Sequence, residues 1–228
     1  MPTYIDVIKF EEEAINCYQK AADEGIEIAL EAIDKLKRKI LEETNCKING
    51  HESVDLGLPS WLKWATCNVG ANSPEEYGDY YAWGETETKD EYTEENSYTY
   101  GVKMNDISGD PKYDVARAKW NGTWRMPTRV ELQELEDNCT QKHVTINGIN
   151  GFKLIGPNGN SIFLPAAGFR ENTSSYYCNN IGYYWGGTPY NGNGGNKYDY
   201  SCSLIFENYI YIPDFSRFCG CSIRPVSE

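Results

Sequence analysis

The vocabulary of the chain changes abruptly at Lys47, and that change limits what the 228 residues can become. Residues 1–46 are dense in Ala, Glu, Lys, Leu and Ile, hold no glycine except Gly25 and no proline after Pro2, and are expected to be helical. Thr3, with Asp6 three residues on, supplies an N-terminal cap. The apolar positions Ile15, Ala22, Ile26, Ala29, Ile33, Leu36 and Ile40 advance mostly by fours and threes, which is a heptad seam, and Asp23-Glu24-Gly25 is where it would part into two helices. A seam this short is marginal alone and must bury itself against something. It is expected either to dock on the rest of the chain or to hold a homo-oligomer through residues 15–43. From Lys47 onward, Gly, Asn, Trp and Tyr dominate, with short strands between turns. The expected organisation is a helical segment, residues 1–46, and one domain, residues 47–228, large enough to bury a full core.

Charge narrows the partners. Lys and Arg total 21 against 34 Asp and Glu, a formal charge of −13, which argues against nucleic acid and against anionic membrane surfaces. No run of about 20 apolar residues exists, so no membrane insertion is expected. Met1-Pro2-Thr3-Tyr4 lacks the basic start and apolar stretch of a secretory signal. Only His51 and His143 are present, too few for a multi-histidine metal centre or a convincing Ser-His-Asp or Cys-His set. No cofactor and no catalytic residue is expected. Residues 75–95 hold nine acids and one base, Lys89. Glu75, Glu76, Asp79, Glu85 and Glu87 do not follow the spacing of an EF-hand, so the stretch reads as a solvated loop before it reads as a cation site.

Two local elements are well marked. Thr128-Arg-Val-Glu131 has capping-box spacing, with Pro127 before it and Leu132 and Leu135 following at helical intervals. Phe152–Ile155 and Ser161–Leu164 flank Gly156-Pro-Asn-Gly-Asn160, which predicts a hairpin.

The tract from Gly168 to Cys221 holds nine of the 18 tyrosines, with seven Asn, eight Gly, five Ser and four Cys. Its branched aliphatics, Ile181, Leu204, Ile205, Ile210 and Ile212, keep no fixed period. Tyr, Ser, Gly and Asn are the residues of antibody-like paratopes, where Tyr gives large amphipathic contact at small entropic cost. The bland alternative is a Tyr- and Gly-rich structural loop.

A series of strings along the second part resembles a known family. They are Val54-Asp-Leu-Gly-Leu58, Trp64-Ala-Thr-Cys-Asn-Val-Gly-Ala71 and Tyr77-Gly-Asp-Tyr-Tyr-Ala-Trp-Gly-Glu-Thr86, then Trp124-Arg-Met-Pro-Thr128, Asn150-Gly-Phe-Lys153 and Phe163-Leu-Pro-Ala-Ala-Gly168, and finally Tyr184-Trp185 and Ser222-Ile-Arg-Pro-Val226. Together, over residues 53–226, they resemble the Fibrobacter succinogenes major paralogous domain, common in Bacteroidetes and similar to formylglycine-generating-enzyme-like proteins. The resemblance implies an α+β, C-type-lectin-like fold whose chain ends meet in one sheet, with flanking helices and long loops on one face. The calcium-dependent sugar motifs of true C-type lectins do not occur, and Trp120-Asn121-Gly122 lacks the needed carboxylate.

The resemblance also brings in diversity-generating retroelements, which randomise adenines near the end of genes for C-type-lectin-like proteins and turn Asn codons into Tyr, Asp, Ser, Cys, Gly, Ile and Phe. Tyr176-Tyr-Cys-Asn-Asn180 and Phe218-Cys-Gly-Cys221 look like such a mixture, on a frame of Trp185, Leu204, Phe206, Arg217, Gly220 and Arg224. Cys178, Cys202, Cys219 and Cys221 would then be sampled residues rather than a disulfide framework. The expected function is ligand binding through Tyr176, Tyr177, Asn179, Asn180, Tyr183, Tyr190, Tyr198, Tyr200, Tyr209, Tyr211, Phe218, Cys219 and Cys221. A protein surface is the expected partner, a glycan the second, and the cell surface or a phage particle the expected location. Two alternatives stand beside this: a structural surface or virion component, and an oxidase of the formylglycine-generating type built on Cys219 and Cys221. The second is disfavoured, because the two cysteines are closer in sequence than that family's reactive pair and no histidine is near.

Overall fold

Asn-Gly turns and capped helix starts set the first half of the domain. The computed structural model describes residue 33, residues 45–192 and residues 196–228. The chain divides into two compact units, Met1–Cys46 and Lys47–Glu228. The heptad seam therefore lies outside the described residues, except for Ile33, which is helical and buried. The oligomer expected through residues 15–43 lies there too.

β1 (Asn45–Ile48) runs into β2 (His51–Asp55) through Asn49-Gly50, both at positive φ (45° and 86°), the conformation a two-residue hairpin turn needs. β2 pairs antiparallel with β3 (Lys63–Ala65), and Trp64 of β3 also faces Val226, near the C-terminus. Two helices follow among the described residues. α1 (Val115–Trp120) is capped by the wholly buried Asp114, whose carboxylate accepts from the N–H groups of Ala116 and Arg117 and also of Gly109 and Met126. α2 (Arg129–Asn138) carries the predicted capping box, with Leu132 and Leu135 buried.

The rest is strand. β4 (Thr140–Ile146), β5 (Ile149–Ile155) and β6 (Ser161–Pro165) form an antiparallel sheet, and β5 and β6 turn about Gly156–Asn160 as the sequence predicts. β7 (Phe169–Glu171) pairs with β8 (Ser174–Tyr176). β9 (Gly182–Pro189) pairs with β10 (Tyr200–Phe206), whose other edge takes first β11 (Ile210–Tyr211) and then β12 (Asp214–Ser216). β13 (Val226–Ser227) returns to β3, so the two ends of the 47–228 unit meet in one sheet. The fold is β-rich with few helical residues among those described. No helix among the described residues is long and apolar enough to cross a membrane.

The β9–β10 pair separates two cores. Alternation sends Tyr184, Cys202, Leu204 and Phe206 into one cluster, with Leu56, Trp64, Leu135, Phe152 and Leu164. It sends Tyr183, Trp185 and Ile205 into the other, with Tyr81, Trp83, Trp124 and Phe169. Buried on both faces, Tyr183–Trp185 of β9 and Leu204–Phe206 of β10 are continuous apolar runs.

Seven of the nine acids of the 75–95 stretch are exposed, as a solvated loop requires, and Glu85 is the buried exception. Glu85 is buried, ion-paired with Lys89 at 2.8 Å and bonded to the Tyr98 N–H, so it ties the loop together instead of facing water. Among the described residues, no three His, Cys, Asp or Glu side chains converge as metal ligands would.

One prediction concerns acid stability. Burial pushes the Glu131 carboxyl up, but two bonds from Arg125 (2.7 and 2.8 Å) and one from the Thr128 N–H outweigh it and hold the group below its ordinary 4.5. A carboxyl lowered in the folded state adds stability that is complete above 4.5 and lost as pH falls through its folded value. Glu131→Gln is expected to cost about 1–2 kcal/mol at pH 7 and to flatten the loss of stability below pH 4.5, measured by urea unfolding across pH.

Candidate binding face

Tyr183 of β9, Ile205 of β10 and Tyr211 of β11 stand opposite one another across three strands, which puts them in one row on one face of the sheet. The row extends at both ends. Tyr209 lies 5.7 Å from Tyr211 between ring centroids. On the other side Phe169 meets Tyr183 edge-on at 4.9 Å, Tyr176 stacks on Phe169 at 5.3 Å, and Tyr177 lies 6.0 Å from it. Phe215 of β12 fills the space beneath, 5.0 Å from both Phe169 and Tyr183. The result is one aromatic strip with a buried floor and an open top. Tyr177 and Tyr209 are 54% and 66% exposed, and Tyr176 and Tyr211 are 40% exposed each.

Local backbone chemistry holds the strip open. Gly168 bridges Gly182 at φ +67°, where a Cβ would lie 2.0 Å from the Tyr176 carbonyl oxygen, so only glycine lets β8 come this close. Tyr177 follows at φ +56°, a left-handed conformation costly for a side chain with a ring. Its carbonyl accepts from the N–H groups of Asn180 and Ile181, both at 3.0 Å, which fixes the turn. At the far end, Gln141 accepts from the Ile210 N–H at 3.0 Å and the His143 ring lies 3.4 Å from the Asn208 carbonyl, which seats β11 against β4.

Two phenols of the strip are held in their neutral form. Burial pushes Tyr183 up to about 12, with Tyr211, Tyr177 and Glu207 adding to it. Burial also raises Tyr211, and Tyr209 and Glu207 reinforce it. Near neutral pH these hydroxyls keep their protons and can donate as well as accept.

Of the thirteen residues expected to bind, the structure brings together Tyr176, Tyr177, Tyr183, Tyr209 and Tyr211, with Asn180 exposed beside them. Tyr183 requires a correction: it is buried, because β9 packs on both faces, and it forms the floor of the strip. Asn179 is a brace. Its Oδ1 accepts from the Asn150 N–H at 2.6 Å, and its Nδ2 donates to the Gly148 carbonyl at 3.4 Å, which ties the Tyr177 turn to the β4–β5 hairpin. Tyr190, Tyr198 and Tyr200 sit at the opposite end of the β9–β10 pair, five residue steps or roughly 16 Å along the strand from Ile205. Tyr200 is exposed there, and Lys197 lies over the Tyr198 ring at 5.1 Å. Phe218 belongs to a different contact, edge-on to Tyr100 at 5.5 Å.

Cys219 and Cys221 are the second correction. Both are buried in the Tyr81–Trp83 core, where Cys221 bridges Tyr81 through the backbone. Burial pushes the Cys219 thiol up to about 12 and Cys221 well above its ordinary value, so both thiols are protonated and out of reach of a partner. The two histidines lie on separate sheets, His51 on β2 stacked on Trp120 and His143 on β4. Cys67, Cys139, Cys178, Cys202, Cys219 and Cys221 are all free thiols.

Sequence reasoning missed Phe169 and Phe215. Each is a single aromatic between polar neighbours, and only the register of β7 and β12 shows that they underlie the tyrosines. In comparisons with protein-family models, curated proteins and solved structures, nothing matches the chain.

Proposed function

We propose that residues 47–228 form a ligand-binding domain on a C-type-lectin-like, α+β scaffold, with the strip Tyr176–Tyr177–Tyr211–Tyr209 as its binding face and a protein surface as its partner. The observation that carries this reading is the sorting of the tract. The four strip tyrosines turn outward together, while Trp185, Leu204, Phe206, Arg217, Gly220 and Arg224 are all buried. A structural loop has no reason to expose four adjacent tyrosine rings over an aromatic floor. Rigid Tyr anchors on a packed base are what a protein-binding hot spot uses. The scaffold assignment draws on the meeting of the two ends of the 47–228 unit in the sheet of β2, β3 and β13.

The same sorting fits a diversified surface. Tyr176, Tyr177, Asn180, Tyr209 and Tyr211 are exposed and rest on the core from outside, whereas Cys219 and Cys221 are part of it. Sibling copies from the same locus are expected to differ at the first five positions and agree at the frame. Differences spread evenly along the chain would end that part of the reading.

Panning against a displayed random-peptide library, alongside a glycan array, tests the binding face. The parent is expected to enrich peptides, and a variant with Tyr176→Ser, Tyr177→Ser, Tyr209→Ser and Tyr211→Ser to lose them while its urea midpoint stays close to the parent's. Capture that survives in the variant would place binding elsewhere. Capture of glycans alone would replace the protein partner with a sugar.

A further inference from the structure

Two carboxylates near the strip are free of partners among the described residues. Glu207 leaves β10 exposed and close enough to Tyr183 and Tyr211 to raise both phenols. Glu171 closes β7 at the turn, opposite Ser174 and two residues beyond Phe169 on the same face of the strand, half-buried beside Cys219. Neither carboxylate has a hydrogen-bond or ion-pair partner among the described residues. Four bases are engaged elsewhere, while Lys142 on β4 is exposed. Arg170 lies over the Tyr92 ring at 5.3 Å and donates to the carbonyls of Lys89 and Asp90. Arg217 is buried on Trp83, and Arg129 is paired with Asp214. Lys197 lies over Tyr198 at the other end of the hairpin.

A ligand on the strip therefore meets ring faces with an unneutralised carboxylate near each end. Ring faces attract cations through their quadrupole, and a planar guanidinium can stack on a ring while its edge donates to a carboxylate. An anionic partner would set like charge against both Glu171 and Glu207. We propose that the strip takes a cationic, arginine-bearing protein segment, an inference that rests on reading the strip as the binding face.

The probe is a short synthetic peptide of alternating arginine and glycine, with glutamate replacing arginine in its counterpart, titrated calorimetrically into the full chain at two salt concentrations. The arginine peptide is expected to bind, more weakly at higher salt, and the glutamate peptide to be silent. Glu171→Gln with Glu207→Gln is expected to weaken binding about tenfold. Glu52→Gln with Glu228→Gln, exposed acids of the sheet that holds β2, β3 and the C-terminus, is expected to change it by less than about twofold. Equal losses in the two pairs would reveal attraction to the net charge of −13 and overturn the inference. Binding that ignores both pairs but is lost with Tyr209→Ser and Tyr211→Ser would keep the face and overturn its charge selectivity. Binding that ignores the tyrosines as well, or no binding of the arginine peptide, would also overturn the inference. Only the tyrosine-independent outcome would count against the face itself.

Discussion

Arg217→Met is expected to cost about 3–5 kcal/mol in urea unfolding, the largest loss of any single change considered. Arg217 is wholly buried, with its guanidinium carbon 4.3 Å from the centre of the Trp83 ring. Its Nε donates to the Tyr200 carbonyl at 3.0 Å and the Ser201 hydroxyl at 2.8 Å, and its Nη1 to the carbonyls of Thr99 and Val102 at 3.1 and 2.8 Å. One side chain therefore joins the start of β10 to the loop at residues 99–102. Burial pulls the guanidinium down to about 10, with Asp199 opposing, so it is still charged at neutral pH and its desolvation weighs against folding. Methionine removes that cost and keeps most of the stem. It also leaves the Val102 carbonyl without a donor, at about 1–3 kcal/mol if it stays dry, takes one of two donors from the Tyr200 and Thr99 carbonyls, which keep the N–H groups of Tyr190 and Val102, and gives up the cation–π contact. The losses win, because four charge-assisted hydrogen bonds and the cation–π contact disappear together and outweigh the relief of one distributed charge. Arg217→Lys is expected to fall between, since one ammonium cannot reach both sets of acceptors. A loss below about 1 kcal/mol for the methionine variant would mean that water reaches the carbonyls and that this end of β10 is not closed.

What the sequence made legible was local chemistry. Thr128 and Glu131 cap α2 because a capping box is satisfied within four residues, whatever packs around it. Gly156–Asn160 turns β5 into β6 for the same reason. The β4–β5 hairpin carried an equally local signal in Asn147-Gly148, at φ 50° and 83°. It passed unnoticed because Thr140–Ile146 is largely exposed and lacks an apolar stripe. Burial in the tyrosine tract was not legible, and the reason is physical. Tyr183 and Tyr184 are neighbours on a strand covered on both faces, whereas Tyr176 and Tyr177 lie at an edge. Side-chain identity is the same in all four, so only the strand order separates floor from surface. Cys219 and Cys221 illustrate the same limit. They look like surface residues in a mixed string and are buried by a backbone bridge to Tyr81, 140 residues away for Cys221. Both corrections come from long-range register.

Tyr177→Asn is expected to separate binding from stability by moving them in opposite directions. The Tyr177 ring is more exposed than not, and its backbone sits at φ +56°, where a non-glycine, non-asparagine residue pays about 1–2 kcal/mol. Asparagine tolerates that conformation and leaves the carbonyl free to accept from Asn180 and Ile181 as before. What it gives up in the fold is a tilted contact with Phe169 at 6.0 Å, worth less than the backbone relief because half the ring is in water. The variant is therefore expected to unfold at a higher urea midpoint, by about 1 kcal/mol. As an anchor of the strip, the same ring is expected to carry about 2 kcal/mol of binding to the arginine peptide, roughly a thirtyfold loss of affinity. A backbone held in a costly conformation to present an exposed ring is a selected feature only if the ring has a use. Loss of stability together with unchanged binding would return Tyr177 to the role of packing and leave the left-handed turn without a function. Tyr177→Gly provides the control, since it relieves the same strain without an amide that could substitute for the phenol. Both variants should lose binding alike if the aromatic face is the recognised group, and only asparagine should retain it if hydrogen bonding is.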